Sequence, residues 1–217
     1  MINWLKSSLR KFFLTSSLLE TFFLYRKFLK PKGWAYSRYL MSPVDGEKNP
    51  LPWLTYSSIY FLETKIKNKH FNVLEYGSGN STIWFSRYAQ SLVSIEHDKV
   101  WYSKLLDILK AKKNINYHLC SLDSGEYINK VLQYDNQFDI ILLDGRDRVN
   151  CAKNCLKALK EEGVIIWDNS DRQKYSDGFL FLEGKGFRRI DFNGLGPIGH
   201  KEWMTTIFYR DKNCFDI

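Results

Sequence analysis

The sequence has few cysteines and lacks an apolar run long enough to span a membrane. Its four cysteines include no C-x-x-C pair and have no histidine cluster beside them, which argues against a disulfide framework and a zinc site. We therefore expect reduced thiols in a cytoplasmic protein. The apolar stretch at residues 12–25 contains Glu20 and is shorter than the roughly 20 residues that cross a bilayer. No small-residue cleavage site follows it, so a signal peptide is not predicted.

The body of the chain also has little excess charge. The formal net charge is +8, but residues 1–32 carry seven basic residues against Glu20 alone, which accounts for +6. The other residues are therefore close to neutral, with a net charge of +2 over 185 positions. A near-neutral body lacks the broad basic surface of a nucleic-acid enzyme, so we expect no nucleic-acid partner.

Residues 1–32, which we call the arm, are basic and have apolar residues at helical spacing. This pattern predicts a helical arm that ends near Pro31 and Gly33. One interpretation is that the arm packs on the domain or mediates a homodimer. The other is peripheral contact with the inner face of an anionic membrane, into which aromatic side chains would insert. Those aromatic residues are Trp4, Phe12, Phe13, Phe22 and Phe23.

After a connecting segment at residues 34–54, rich in proline, aromatic and turn residues, strand-like and helical patterns alternate along the chain. A helical pattern at Thr55–Lys67 comes first, and the last two strand-like runs are separated only by a segment rich in glycine and proline. Alternation predicts an α/β fold with a doubly wound, mostly parallel sheet of seven strands and a C-terminal antiparallel hairpin. We assign residues 1–54 to the arm and connector and residues 55–217 to one domain. The predicted strands are Asn72–Glu75, Leu92–Glu96, Ile115–Cys120, Phe138–Asp144, Val164–Asp168, Phe187–Phe192 and Met204–Tyr209.

The first predicted strand runs into a glycine-containing loop that suits a ligand with a positive charge. Gly77 and Gly79 let the chain turn tightly and let a ligand approach the backbone, while Thr82 replaces the third glycine of a dinucleotide-binding loop. Glu75 just before the glycines would repel a pyrophosphate and attract an ammonium group. About 20 residues later, Glu96 ends the second strand, where an acidic side chain can bind ribose hydroxyls.

Together with the fourth strand and the terminal hairpin, these motifs resemble class I S-adenosylmethionine-dependent methyltransferases from Asn72 to about Tyr209. The resemblance implies S-adenosylmethionine as cofactor, with Glu96 on its ribose. Trp101 and Tyr102, on the helix that follows, are interpreted as core residues. The full set of cofactor-binding residues that the resemblance implies is Glu75, Gly77, Ser78, Gly79, Asn80, Ser81, Glu96, His97, Asp123 and Asp144.

A second group of polar residues follows the fourth and fifth predicted strands. Asp144, Asp168 and Asn169 converge at the carboxyl edge of the sheet and form an oxygen-rich set suited to Mg²⁺ or Ca²⁺. The triplet is similar to the metal site of catechol-type O-methyltransferases. Asp147 stands where those enzymes carry a lysine base, so a catechol substrate is not supported. In the alternative interpretation, Asp168 and Asn169 only cap the next helix or order its loop.

The candidate catalytic residues are Asp144, Asp147 and His200. Asp147 would act as a general base between Arg146 and Arg148, which would bind an anionic group of the substrate. Arg172 would add to that anion site. His200 lies in a loop that could close over the acceptor, and an imidazole is a base of suitable strength near neutral pH.

These residues predict methyl transfer to an oxygen, less favourably a nitrogen, of a small-molecule or glycan acceptor. Two alternatives remain open. One is a non-catalytic binding module that keeps the cofactor fold and is recruited through the arm. The other is an enzyme of the same fold that transfers an aminopropyl group. An Asn or Asp followed by two prolines and an aromatic residue, typical of amino-methylation of bases, is absent.

Overall fold

The computed structural model describes residue 11 and residues 15–217, and a seven-stranded sheet forms its centre. The strand order is β3-β2-β1-β4-β5-β7-β6. Strands β1 to β5 pair in parallel, whereas β7 is antiparallel to both β5 and β6. The predicted fold class is confirmed, and each predicted run overlaps a strand. The strands are β1 (Phe71–Tyr76), β2 (Ala89–Glu96), β3 (Ile115–Leu119), β4 (Phe138–Leu143), β5 (Leu159–Asp168), β6 (Arg188–Gly194) and β7 (Trp203–Tyr209).

Helices cover both faces of the sheet. Along β4, Ile141 and Leu143 belong to one buried apolar cluster, and Ile140 and Leu142 belong to the other. Because both faces are buried, the central strands are nearly continuous apolar runs rather than alternating ones. The helices are α1 (Trp34–Leu40), α2 (Tyr56–Ile66), α3 (Asn80–Phe85), α4 (Lys99–Lys110), α5 (Glu126–Asn129), α6 (Arg148–Cys155) and α7 (Ser176–Gly184), with short 3₁₀ turns at Lys130–Gln133 and Gln173–Tyr175.

The described part of the arm is helical at residues 15–24 and continues as a π-helical turn at Tyr25–Leu29. Gly33 follows with a φ of 73°, a left-handed conformation that suits glycine and separates the arm from α1. The predicted membrane-inserting residues Trp4, Phe12 and Phe13 lie outside the described residues. None of the helices in the described residues combines the length and apolar character needed to cross a membrane.

Residues 34–54 pack onto the domain more closely than a connector would. Ser37 and Leu54 are fully buried, and Val44 and Leu51 are nearly so. The first part of this segment forms the helix α1, which the sequence pattern did not predict. The boundary between residues 54 and 55 stays a prediction, but the segment before it contributes to the same core.

The cysteines are unpaired thiols, in agreement with the prediction. Cys120, Cys151 and Cys155 are buried, and Cys214 is half-buried. Burial raises the pKa of the Cys120 thiol to about 11 and that of Cys155 to about 12. Both therefore remain protonated near neutral pH and behave as small apolar side chains.

Candidate functional site

The functional side chains lie at the carboxyl edge of the sheet, where the central parallel strands end. Two loops meet there at their glycines: a Cβ on Gly77 would lie 2.9 Å from the Cα of Gly145. Gly77 also has a φ of 90°, so both room and backbone conformation require glycine. This contact divides the edge into a β1–β2 half (residues 75–82 and 94–101) and a β4–β5 half (residues 144–148 and 168–172).

Glu75 lies completely buried beneath the glycine loop of the β1–β2 half. Its Oε1 accepts a hydrogen bond from Ser94 Oγ at 2.7 Å and another from the Thr82 hydroxyl, and its Oε2 accepts one from Ser81 Oγ at 3.0 Å. Burial raises the pKa of Glu75 to about 7, against the lowering effect of these hydroxyl groups. The carboxyl therefore sits in a pocket of neutral donors and is poised to ionise when a cation arrives.

Glu96 joins the second strand to the glycine loop. Its Oε2 accepts hydrogen bonds from Ser78 N at 3.0 Å and Ser78 Oγ at 2.8 Å. Its Oε1 accepts from the backbone N–H groups of His97 and Asp98 at 2.8 and 2.9 Å. The His97 Nδ1 atom lies 3.0 Å from the same oxygen. The structure thus brings four of the predicted cofactor residues into one site: Glu75, Ser78, Glu96 and His97.

Ser78 is held by two further side chains. Its hydroxyl lies 2.7 Å from the Tyr117 hydroxyl, and its carbonyl accepts a hydrogen bond from Trp101 Nε1 at 2.8 Å. Tyr117 stacks on Tyr102 with ring centroids 4.4 Å apart. The interpretation of Trp101 as a core residue is wrong, because its side chain is 38% exposed and its indole N–H faces the loop.

The other predicted cofactor residues occupy different surroundings. A Cβ on Gly79 would meet no protein atom within 4 Å, so open space lies in front of it. Asn80 instead donates from Nδ2 to Ser42 Oγ and Pro43 O, at 3.0 and 2.6 Å, and ties the connecting segment to the loop. Asp123 is exposed in the loop after β3.

Arg148 organises the β4–β5 half from a buried position. Its Nε donates to Gly145 O at 2.9 Å and its Nη2 to Asp144 O at 2.8 Å. Nη2 also lies 3.1 Å from Asp144 Oδ1, and Nη1 donates to the carbonyl of Asp168. The guanidinium thereby links the ends of two neighbouring strands. Its predicted role in binding an anionic substrate group is wrong, because these contacts use its donors internally.

Asp144 and Asp168 form a coupled acidic pair at this position. Burial is the main cause that raises the pKa of each carboxyl, to about 6 for Asp168 and well above its ordinary range for Asp144, where Asp168 adds repulsion. The Arg148 charge opposes both shifts. Asp168 Oδ1 also accepts hydrogen bonds from Trp203 Nε1 at 2.9 Å and Thr205 Oγ1 at 2.8 Å.

These contacts do not fit the predicted Mg²⁺ site of Asp144, Asp168 and Asn169. A fixed cation, Arg148, already lies against the pair, and Asp168 Oδ1 is saturated by protein donors. Within residues 15–217, no three or more histidine, cysteine, aspartate and glutamate side chains gather as a metal-ligand cluster. Asn169 has a left-handed φ of 48° and shapes the turn after β5, closer to the loop-ordering interpretation.

A cavity of about 500 Å³ opens onto this acidic pair. Its polar floor contains Asp144, Asp168 and Asn169, and His200 is exposed at its rim. The cavity is also lined by Trp53 and Trp203, which lie far apart in the sequence. Sequence reasoning missed both indoles, because only the folded sheet edge brings residues 53 and 203 together.

The loop before β7 forms one wall of this cavity and is fastened to α1. Trp34 Nε1 donates to Gly199 O at 2.8 Å, and Arg38 Nη1 donates to Ile198 O at 3.2 Å. Asp147, the other catalytic candidate, lies outside the cavity wall: it is exposed, and both its oxygens accept from Asn150 Nδ2, at 2.9 and 3.0 Å. The structure therefore brings Asp144 and His200 to one cavity and leaves Asp147 at its flank.

Comparison with known proteins rests on structure alone, because no family model and no curated protein matches the chain. Precorrin-6y C5,15-methyltransferase from Geobacter metallireducens is similar with a TM-score of 0.57 and 14% identity, covering 73% of this chain and 90% of that one. M. jannaschii TYW2, solved in complex with AdoMet, gives a TM-score of 0.50 and 16% identity over 77% and 81% of the two chains. The chain has the class I S-adenosylmethionine-dependent methyltransferase fold. The fold that the glycine loop predicted is thus confirmed.

The chain is also similar in fold to a solved protein that is not named as a methyltransferase. Spermidine synthase from Thermotoga maritima is similar with a TM-score of 0.51 and 18% identity, covering 71% of this chain and 60% of that one. Since one fold carries several chemistries, the reaction has to be argued from the site.

Proposed function

We propose that the protein transfers the methyl group of S-adenosylmethionine to a hydroxyl oxygen of a small-molecule or glycan acceptor. The observation that carries this proposal is the juxtaposition of the two halves across the Gly77–Gly145 contact. One half offers carboxyl groups with no fixed cation, and the other offers a cavity floored by Asp144.

The residues of the β1–β2 half fit the cofactor chemically. Glu75 is buried among neutral hydroxyls, so the ammonium of a methionine moiety would supply the missing positive charge. Glu96 lies about 20 residues further on and would accept hydrogen bonds from a ribose diol. The open space at Gly79 gives a ligand access to the backbone. When bound, S-adenosylmethionine supplies an electrophilic methyl group on a sulfonium.

In the β4–β5 half, Asp144 is the candidate proton acceptor. Its raised pKa makes the carboxylate a stronger base than an ordinary aspartate. As the acceptor oxygen takes the methyl group that the cofactor would supply, Asp144 would take the hydroxyl proton. Trp53 and Trp203 would orient the acceptor and exclude water, which supplies rate through positioning.

The test separates cofactor binding from turnover. Calorimetry with S-adenosylhomocysteine measures the first, and a tritiated-methyl assay on cell extract measures the second. We expect Asp144→Asn to reduce transfer about 10²- to 10⁴-fold while S-adenosylhomocysteine affinity stays unchanged. Asp107→Asn, at an exposed acid on α4, is the matched control. Full activity of Asp144→Asn would contradict the role of Asp144, and binding without turnover in any extract would favour the non-catalytic alternative.

Aminopropyl transfer is the second candidate, because spermidine synthase shares the fold and the cavity floor is acidic. Carboxylates such as Asp144 and Asp168 would attract a cationic amine acceptor. The small product distinguishes the reactions: methyl transfer leaves S-adenosylhomocysteine, whereas aminopropyl transfer from the decarboxylated cofactor leaves methylthioadenosine. Chromatography of the spent reaction identifies which product forms.

A further inference from the structure

A second pocket, of about 280 Å³, opens beside the acceptor cavity. Arg172 lines both, and Asp144 in the cavity is followed directly by Gly145 in the pocket. The cavity and the pocket are therefore adjacent. Arg146, Asp147, Arg148, Lys174 and Tyr175 complete the walls that matter here.

The pocket presents cations that the protein itself leaves unpaired. Arg146, Arg172 and Lys174 are exposed, and none of them forms an ion pair within residues 15–217. The acidic wall residue Asp147 accepts hydrogen bonds from Asn150 with both its oxygens, and these neutral donors leave its negative charge in place. Arg148 is neutralised from behind by its contacts with Asp144. The space in front is thus bordered by three exposed cations, of which Lys174 lies over the Tyr175 ring, against the one carboxylate of Asp147, so the pocket wall keeps an excess of positive charge.

We propose that this pocket binds a phosphoryl group carried by the acceptor, while a sugar portion of the same acceptor lies in the cavity between Trp53 and Asp144. The inference rests on the proposed function and adds the class of substrate. Guanidinium groups hold phosphate oxygens through paired N–H donors, and an ammonium adds a point charge. A neutral sugar would leave the three cations unused.

The phosphoryl group has two possible sources with shared chemistry, a soluble sugar phosphate or a lipid-linked phosphate. Glucose, inorganic phosphate, glucose 1-phosphate and octyl phosphate are therefore titrated calorimetrically into the full-length protein, without and with S-adenosylhomocysteine. We expect glucose 1-phosphate to bind at least tenfold more tightly than glucose. Tighter binding of octyl phosphate than of glucose 1-phosphate would instead point to the lipid-linked source.

The variant Arg146→Gln/Lys174→Gln tests the pocket directly, because both side chains are exposed and away from the core. We expect it to weaken binding of both phosphate esters about tenfold or more and to leave S-adenosylhomocysteine affinity unchanged. Lys110→Gln/Lys113→Gln, beside β3, is the matched control and should change neither. Unchanged phosphate-ester affinity in the pocket variant, or no saturable binding of either ester, would overturn the inference. Loss of S-adenosylhomocysteine binding alone would contradict only the proposed function.

An independent observation concerns the arm, whose apolar side chains remain exposed. Leu18, Phe22, Phe23 and Leu24 are each about half or more exposed. Lys27 lies over the Phe23 ring, with Nζ 5.7 Å from the centroid. The described part of the arm therefore combines uncovered apolar surface with basic side chains.

Charge decides which partner fits this surface. Two arms that each carry +6 would repel one another in a homodimer, whereas an anionic surface is complementary to them. We infer that the arm binds the face of an anionic membrane, with its phenylalanines inserted and its lysines near the headgroups. This selects membrane contact from the two sequence-based interpretations.

Flotation of the full-length protein with vesicles tests this inference. We expect binding to vesicles containing phosphatidylglycerol, weaker binding at high salt, and none to pure phosphatidylcholine. Phe22→Ser/Phe23→Ser should lose most of the binding, and Arg26→Gln/Lys27→Gln should weaken it about thirtyfold. Leu180→Ser/Lys185→Gln, which changes an exposed leucine on α7 and the exposed lysine directly after it, should leave it unchanged. Equal flotation of all variants, or a salt-resistant dimer without flotation, would overturn the inference.

Discussion

The two halves of the sheet edge bury their acidic groups in opposite ways. In the β1–β2 half, Glu75 and Glu96 accept hydrogen bonds from hydroxyl and backbone donors, and no lysine or arginine within residues 15–217 forms an ion pair with either. In the β4–β5 half, the buried guanidinium of Arg148 lies against Asp144 and the end of β5. Among the described residues, the β1–β2 half has no lysine or arginine beside its carboxyl groups, so a cationic ligand could take that position. The β4–β5 half already has Arg148 there.

The β1–β2 half is thus suited to bind a cationic group, whereas the β4–β5 half is suited to accept a proton. A carboxyl without a fixed counter-charge gains most when a cationic ligand arrives, as Glu75 would with an ammonium group. A carboxyl with a resident cation is already held by the protein, as Asp144 is by Arg148. Four measurements test this difference between the halves.

Removing the resident cation should have the largest effect. Arg148→Met removes the cation beside the half-buried Asp144 and the donor to the Asp168 carbonyl, while the Asp168 carboxyl keeps its donors Trp203 and Thr205. The free energy of unfolding should fall by about 3 kcal/mol, the lower end for a broken buried pair, because Asp144 keeps some solvent contact. Urea unfolding measures the loss, and the exposed Arg146→Met should change stability by less than about 0.5 kcal/mol. Adding Asp144→Asn to Arg148→Met should recover part of the loss. Equal stabilities of the two arginine variants would contradict the account of the β4–β5 half.

The pH dependence of stability tests the half without a cation. Because the folded protein keeps the Glu75 proton up to a pKa of about 7 and the unfolded chain loses it near 4.5, the folded state binds more protons between these values. The free energy of unfolding should therefore fall as the pH rises through this window, by at most about 1.4 kcal/mol per pH unit. Glu75→Gln should make that slope shallower, most clearly near pH 7, while the raised pKa values of Asp144 and Asp168 keep part of it.

Urea unfolding from about pH 5 to about pH 8 measures the slope. Asp168→Asn serves as the comparison, because its pKa of about 6 limits its contribution to the lower part of the window. Curves of the same shape for wild type and Glu75→Gln would show that Glu75 does not carry the buried proton.

Cofactor affinity should depend on Glu96 to a smaller extent. Glu96→Ala removes a charge-assisted hydrogen bond worth roughly 1.5–3 kcal/mol, so S-adenosylhomocysteine should bind about tenfold or more weakly in calorimetry. Asp107→Ala, an exposed acid on α4, controls for the loss of one negative charge. An unchanged dissociation constant for Glu96→Ala would remove Glu96 from the cofactor site.

Metal chelation should have the smallest effect. Because Arg148 already neutralises the acidic pair, neither EDTA nor added Mg²⁺ should shift the midpoint of thermal unfolding, Tm. A Mg²⁺-dependent rise in Tm that Asp144→Asn abolishes would restore the metal-site prediction.

Much of the fold could be predicted because strand and helix signals are local. The buried strands β1 and β4 are short apolar runs, and each is bounded by turn residues. Helix α7 was missed for an equally local reason. Its apolar residues Phe179 to Leu182 are consecutive rather than periodic, and Gly178, which interrupts the pattern, is required by the close approach of the Trp167 ring.

The candidate site shows the same distinction between residues with a local sequence signal and residues whose role depends on the folded sheet. Glu75 and Glu96 were predictable, because each lies at the end of a strand whose position the sequence indicates. The internal role of Arg148 was not, since it depends on the spacing between the ends of β4 and β5 in the folded sheet. The cavity indoles Trp53 and Trp203 were missed because no sequence pattern relates positions 150 residues apart.

The Gly77–Gly145 contact joins donor and acceptor sides by main chain alone. Main-chain spacing is insensitive to which side chains line either pocket. Under the proposed function, substitutions of Trp53, Arg172 or His200 would change the acceptor cavity without lengthening the path that the transferred group crosses. In that case the specificity for the acceptor can diversify, while the distance between the two halves of the sheet edge stays the same.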